Sequence, residues 1–281
     1  MRKTFLAILV ITISVFKSSA QVVPQPSPGA SFSQTLGITK INVDYSRPGV
    51  KARTIFGGLL KYGEVWRTGA NAATKIRFSN NVNINGEDIN AGEYAILTIP
   101  NLDTWIVVLN TDLNATEANY DQSKDILRVS TAPYKTNFTE TFTINISDIY
   151  ENMAKLNFYW EHTGISLNVS VNNEAIINAA VSARNNEAAG AFQQAAEYMV
   201  NKNMNLATAL KYIDKSINLQ ETFRNTWIKS VILRQMGRNK ESLKMALNAQ
   251  ILGISDPVYQ LYKMAIEKGI VELRASVPSY K

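Results

Sequence analysis

The stretch "ETFTINISDIYENMAKLNFYWEHTGISLNVSV", Glu140 to Val171, holds three runs, ETFTINIS, AKLNFYW and ISLNVSV, rich in β-branched and aromatic residues. Phe142, Ile144 and Ile146 alternate with polar residues, which is the period of a half-buried strand. The same texture reaches upstream to Ala30 through KINVDYS, TKIRFS, EYAILTIP, TWIVVLN and DILRVST, with Ile41, Val43 and Tyr45 repeating the alternation. Eight or more short strands at this spacing predict an all-β sandwich or jelly-roll-like domain. Turn signals fall at Asn83 to Gly86 and Asn90 to Glu93, and Asn85-Gly86 is the strongest hairpin cue.

Beyond Asn172 the composition turns to Ala, Leu, Lys and Gln at helical spacing. Phe192, Ala195, Ala196 and Met199 share one face, and so do Leu206, Leu210, Ile213 and Ile217. Aligning ALKYIDKSI (Ala209 to Ile217) with SLKMALNAQ (Ser242 to Gln250) gives an offset of 33 residues. With Trp227 ten residues before Gly237 and Leu243 on the next helix, the pair reads as a tetratricopeptide-like helical hairpin. Two such repeats need support from the β-domain or from an extra helix over Glu174 to Ala189. Ser255-Asp256-Pro257 is expected to cap a last helix.

The N-terminus pairs Arg2 and Lys3 with the apolar run Phe5 to Phe16, followed by Ser18 and Ala20, the pattern of a secretory signal peptide cleaved before Gln21. Twelve apolar residues fall short of the roughly 20 a spanning helix needs. The expected organisation is a signal peptide over 1–20, a β-sandwich domain over 21–172 and a helical tetratricopeptide-like domain over 173–281. Export to the periplasm or beyond follows, with no membrane span after cleavage. There is no cysteine in the 281 residues, which excludes disulfides, thiol nucleophiles and acylation on an N-terminal cysteine. After cleavage the formal charge falls from +6 to +3, with 26 cations against 23 acids. Residues 21–172 carry 12 cations and 14 acids, and residues 173–281 carry 14 and 9. The tail's cations are scattered over its helices, so a solvated surface is expected and nucleic-acid binding is not.

One segment breaks the acidic balance of the β-domain. Arg47, Lys51, Arg53, Lys61, Arg67, Lys75 and Arg77 lie between residues 45 and 77 against the single acid Glu64. Guanidinium forks match carboxylates and phosphates, Gly57-Gly58, Gly63 and Gly69 allow close backbone approach, and Trp66 offers a stacking face. The sharp reading is a binding site for an anionic small molecule, a glycan or a peptide carboxylate at Arg47, Lys51, Arg53, Trp66, Arg67 and Asn71. Its rival is structural, with Arg47 and Arg67 pairing the domain's own acids, the glycines as loop corners and Trp66 as core.

The segment YSRPGVKARTIFGGLLKYGEVWRTGANAATKIRF, followed by AGEYAILTIP, WIVVLN, KDILRV and WEHT, resembles the secreted bacterial domain of unknown function 2911, common in Bacteroidetes. The resemblance covers about Ser31 to Val171, and longer relatives similarly carry a tetratricopeptide-like tail. Its signature falls on Tyr45, Ser46, Arg47, Pro48, Val50, Lys51, Arg53 and on Val65 through Asn71. The chain departs from it at Gly49 and Ala52, where the family pattern implies Ser and Gly, in ATEANYD, which lacks a Trp-Gly before Tyr120, and at His162. The resemblance implies fold and location and leaves activity open.

Other chemistry is weakly represented. His162 is the only histidine, so a zinc site would need three or more carboxylates, and no G-x-S-x-G elbow accompanies it. NTDLNATEANYD sets Asn110, Asp112, Asn114 and Asp121 at calcium-loop spacing, yet Ala115 replaces the turn glycine. No metal is expected. Neither a P-loop nor a dinucleotide fingerprint occurs, and no cofactor is expected. Glu64, Glu93 and Glu161 are the acids available for a glycosidase-type pair. The sequons at Asn114, Asn137, Asn145 and Asn168 read as asparagine-rich composition. The leading expectation is a noncatalytic binding module with a partner-binding helical tail. The alternatives are a hydrolase of cell-envelope material using Glu64 with Arg67 as electrostatic stabiliser, and a structural adaptor whose arginines only stabilise the fold. Catalytic residues are not assigned.

Overall fold

A computed structural model describes residues 23–277. The expected signal peptide, 1–20, lies outside the described residues. The chain divides into two compact units at Asn173/Glu174, and each is described by itself.

Among the described residues the first unit holds ten strands in two antiparallel sheets. β1 (Gly29–Leu36), β2 (Thr39–Ser46), β3 (Thr74–Phe78), β6 (Gly92–Ile99), β7 (Trp105–Asn110) and β8 (Asp125–Thr131) form a six-stranded sheet in the order β1-β2-β3-β6-β7-β8. β4 (Val82–Ile84), β5 (Glu87–Ile89), β9 (Tyr134–Tyr150) and β10 (Met153–Ser170) form the other, in the order β5-β4-β10-β9. The Asn85-Gly86 cue is the β4–β5 turn, with φ of 50° and 97°, the left-handed pair that a type I′ hairpin requires.

Alternating residues meet between the sheets. Ile41, Val43, Ile76 and Phe78 from one, and Phe142, Ile144, Leu156, Phe158, Trp160, Leu167 and Val169 from the other, are all at most 2% exposed. β6 and β7 are buried on both faces, which is why EYAILTIP and WIVVLN read as continuous apolar runs. Ala95, Leu97 and Val108 on the outer face are covered by Ala115, from the loop between β7 and β8.

AKLNFYW and ISLNVSV, read as separate strands, are two halves of the single strand β10. Its pairing with β9 shifts register on both sides of Glu161, whose φ is 54°. The strand turns back hard at this bulge. Ser166 Oγ donates to Asn157 Oδ1 at 2.7 Å although the two are nine residues apart, a separation of roughly 30 Å in a straight strand. The ends meet too: Val171 N donates to Asn152 O at 2.9 Å, and Asn152 Nδ2 to Val171 O at 3.1 Å. The β9–β10 hairpin is curled almost into a ring, its convex face on the core and its polar face inward.

The second unit is helical: α1 (Asn173–Asn201), α2 (Leu206–Leu219), α3 (Phe223–Gln235), α4 (Asn239–Gly253) and α5 (Lys263–Ser276). α2 and α4 begin 33 residues apart, matching the sequence offset. Ala196, Val200, Ala209, Ile213, Ile228 and Ile232 form one core cluster, and Phe223, Leu243, Ala246, Tyr259, Ile266 and Ile270 a second. Ser230 Oγ donates to Ser242 O at 2.9 Å and Ser242 Oγ to Ser230 O at 2.7 Å, a reciprocal bond between α3 and α4 where two small side chains let the backbones approach. Asp256 caps a separate 3-10 turn, Pro257–Leu261, and not the last helix, α5, which begins after it at Lys263. No helix among the described residues is long and apolar enough to cross a membrane.

Candidate functional site

The segment Tyr45 to Asn71 runs first along the free edge of β9. Phe142 N donates to Pro48 O at 2.9 Å and Val50 N to Glu140 O at 2.8 Å. Tyr45 Oη takes the Ile144 N–H at 3.1 Å. Arg47 continues the row with its side chain: Nε donates to Phe142 O at 3.0 Å and Nη2 to Thr143 Oγ1 at 2.7 Å. Lys51 N reaches Glu140 Oε1 at 2.9 Å. Arg53 folds back, with Nε to Val50 O at 3.0 Å and Nη2 to Gly49 O at 2.6 Å. An unpaired edge of a 17-residue strand invites pairing with another chain, and this stretch covers its middle.

The second half of the segment pins a loop. Trp66 is 5% exposed, stacks on Trp160 at 5.5 Å between centroids, meets the edge of Phe142 at 5.0 Å, and donates Nε1 to Gly69 O at 3.0 Å. Its backbone pairs with Thr98, so Arg67 emerges at a fixed point. Arg67 grips Glu117 with Nε at 2.7 Å, Nη2 at 2.6 Å and backbone N at 3.0 Å, and Nη1 donates to Asn71 O. Asn71, in the left-handed region at φ 61°, ties Ser27 O at 3.0 Å and Ser46 Oγ at 3.3 Å through Nδ2. Burial pushes the Glu117 carboxyl up, but hydrogen bonds from the Arg67 side chain and backbone outweigh it and hold the group below its ordinary value. Glu117 belongs to the loop that carries Ala115 onto the outer face of β6 and β7, so the ion pair clamps that cover.

Of the six residues singled out, Arg47, Lys51 and Arg53 therefore gather at the β9 edge, Arg67 and Asn71 join at the loop clamp, and Trp66 sits in the core. Arg67 alone of the three arginines pairs with an acid; Arg47 and Arg53 end on protein oxygens. Glu64 is exposed, with Lys61 4.0 Å away. In NTDLNATEANYD the oxygens are used internally: Asp112 pairs with Lys124 at 2.9 Å and Asp121 caps Ser123. Among the described residues no group of three or more His, Asp or Glu side chains is set to hold a metal ion.

A concavity lies elsewhere, where the ends of the curled hairpin meet: a cleft of about 570 Å³ with Asn85, Tyr150, Lys155, Ser166 and Asn168 among its walls. Of its walls, Ser166 is anchored in a hydrogen-bonded lattice. Asn157, 1% exposed, gives Nδ2 to Asn145 Oδ1 at 3.0 Å and Ser147 Oγ at 2.9 Å and receives Ser166 Oγ, which also bonds Tyr134 Oη at 2.8 Å. Burial, a hydrogen bond with Tyr134 and the nearby Asp148 charge push the Tyr159 phenol up to about 12. Asp148 and Lys155 neutralise one another at 2.9 Å. The cleft mixes apolar walls, Met153, Ala154 and Val169 among them, with amides and hydroxyls, and its two charged groups balance one another. Sequence reasoning took Asn145 and Asn168 only as sequons of an asparagine-rich chain and passed over Ser147, Asn157 and Ser166, though the signal was present: all five are the polar partners of the apolar alternation. None of the six earlier residues lines this cleft.

Two antiparallel sheets packed over one core, followed by a five-helix unit, define a β-sandwich protein with a helical tail. Comparison with protein families matches residues 27–169 to "Protein of unknown function (DUF2911)", and the chain belongs to that family. The match covers the β unit. Comparison with curated proteins and with solved structures returned no match.

Proposed function

We propose that the chain is an exported, noncatalytic binding protein whose β unit takes a glycan in the cleft of the curled hairpin and whose helical unit engages a protein partner. The carrying observation is the cleft itself. A neutral polyhydroxylated ligand is recognised by fixed amides and hydroxyls in a concave, pre-organised wall. Asn157 and Ser166 hold such a wall rigid, while Asn85 and Asn168 contribute amides and the exposed Tyr150 a ring face. Of the three ligand classes considered for the cationic segment, a glycan is favoured because the Arg47, Arg53 and Arg67 guanidiniums already have protein acceptors. Those arginines serve the fold. A hydrolase built on Glu64 has less support, since that carboxylate is exposed beside Lys61.

A glycan array followed by calorimetry on the exported form tests this. Tyr150→Ala and Asn168→Ala should each weaken the best oligosaccharide by about 3- to 10-fold, the equivalent of one stacking or hydrogen-bonding contact of roughly 1 kcal/mol. Arg53→Ala should leave binding unchanged. Binding lost in Arg53→Ala but kept in both cleft variants would return the site to the cationic segment. Fractionation of a reporter fused to residues 1–20 tests export.

A further inference from the structure

A second, smaller concavity of about 180 Å³ opens at one end of the β unit. Tyr62, Trp105 and Tyr134 wall it, and the edge of Phe56 fixes Trp105 at 4.9 Å. Asn101, Lys135 and His162 supply its polar groups, and no aspartate or glutamate lines it. Lys135 makes no ion pair among the described residues, as is also the case for Lys40, Lys51 and Lys75 of the same unit, but it alone of these four lines this pocket. The His162 ring rests 5.3 Å from Phe138, and its Nδ1 lies 3.4 Å from Thr136 O, which leaves Nε2 as its remaining polar atom.

We infer that this pocket is a subsite for a six-membered ring bearing a carboxylate, an acidic sugar unit of the glycan; the inference rests on the function proposed above. Aromatic walls fit the apolar face of a sugar ring. An amide and an ammonium beside them fit its hydroxyl and carboxylate groups, and the lack of a lining acid leaves the Lys135 charge uncompensated for an incoming anion. Position supports the sugar over an unrelated aromatic acid. The Tyr134 ring lines this pocket while its hydroxyl bonds Ser166, a wall of the glycan cleft, so one hydrogen bond links the walls of the two concavities. The anionic preference suspected for the arginine segment is thereby reassigned to Lys135.

Uronic-acid oligosaccharides and their methyl esters, which keep the ring and lose the charge, provide the probe. The free acids should bind the full chain about tenfold more tightly than the esters. Lys135→Met should reduce the acids to the level of the esters and leave ester binding unchanged, while Tyr150→Ala weakens both. Equal binding of acids and esters, or a preference that survives Lys135→Met, overturns the inference and spares the neutral-glycan reading. Failure of every oligosaccharide overturns both. Benzoate competing for the Lys135-dependent site as well as a uronate would overturn the sugar assignment.

Discussion

Replacing Arg67 by Ala removes the clamp between the Trp66 segment and the loop over β6 and β7. Two side-chain contacts to Glu117, at 2.7 and 2.6 Å, and one to Asn71 O are lost, while the backbone bond from Arg67 N to Glu117 remains. Charge-assisted hydrogen bonds contribute about 1.5–3 kcal/mol when protected from water, and exposed ion pairs about 0.2–1 kcal/mol. The two side chains are 29% and 37% exposed, between those limits. Solvent screening then brings the expected loss to about 2 kcal/mol, a fall of roughly 4–8 °C in the Tm of a unit of this size. Because the Glu117 carboxyl is depressed in the folded state, its contribution is fully present above the unfolded value of about 4.3 and disappears as pH falls through the folded one. Calorimetry of parent, Arg67→Ala, Glu117→Gln and the double variant at pH 7 and at successively lower pH measures both effects. The Tm gap should shrink below about pH 4.3, and the double variant should lose less than the sum of the singles. Additive losses, or a gap unchanged on acidification, would refute the clamp.

Three further outcomes are expected. Ala52 is held at φ 55°, where an L side chain costs roughly 1–2 kcal/mol and glycine about 0.5–1 kcal/mol of chain entropy; Ala52→Gly should stabilise the β unit by about 0.5 kcal/mol, and any destabilisation in urea melts contradicts the assignment. Burial first, and then the Asp125 hydrogen bond, push the Tyr120 phenol up to about 12, as burial does for Tyr159. The stabilisation these neutral phenols give is present below the unfolded value of about 10 and is lost as pH rises toward the folded one. Burial and the Glu267 charge push the Tyr259 phenol up as well, so near-ultraviolet pH-jump titration should find three late phenols among twelve, one fewer in Tyr120→Phe, and all twelve titrating together would falsify the assignment. Asn225, 1% exposed, accepts from Thr222 N and donates to Ser216 Oγ and Gln220 O, so Asn225→Ala should cost the helical unit about 3 kcal/mol through a lost cap and unsatisfied partners; a helical melt within 1 °C of the parent rules this out.

The fold was largely legible because its two periods are written in the side chains. Phe142, Ile144 and Ile146 face the core at the spacing that marks them as strand, and Asn85-Gly86 announces its turn. The curl of β10 was hidden. Glu161 to Gly164 interrupt the apolar alternation and divide one strand into two apparent ones, and the bonds that close it join Asn152 to Val171, far apart along the chain. The arginine cluster was visible, but its partners were not. Carbonyl oxygens such as Phe142 O and Gly49 O exist at every residue and leave no trace in composition, and Glu117 lies 50 residues from Arg67. Ala52 is a case where the departure from the family pattern marks a real constraint, since a left-handed backbone there favours the implied glycine. The cleft was overlooked because its asparagines and serines occupy the ordinary polar slots of strands, and only the curl brings them together.

The closure of β10 on Asn152 changes what mutation is free to do here. In most hairpins the turn is the place where residues are gained or lost without harm. Here the backbone from Asn152 to Val171 works as a hoop with a fixed circumference, because Val171 N must still find Asn152 O after any edit. Exposed side chains of the hoop, such as Met153, are open to exchange; the number of residues is not. In a chain built on such a hoop, substitution alters the lining of the cleft, while insertions and deletions are tolerated in loops outside it.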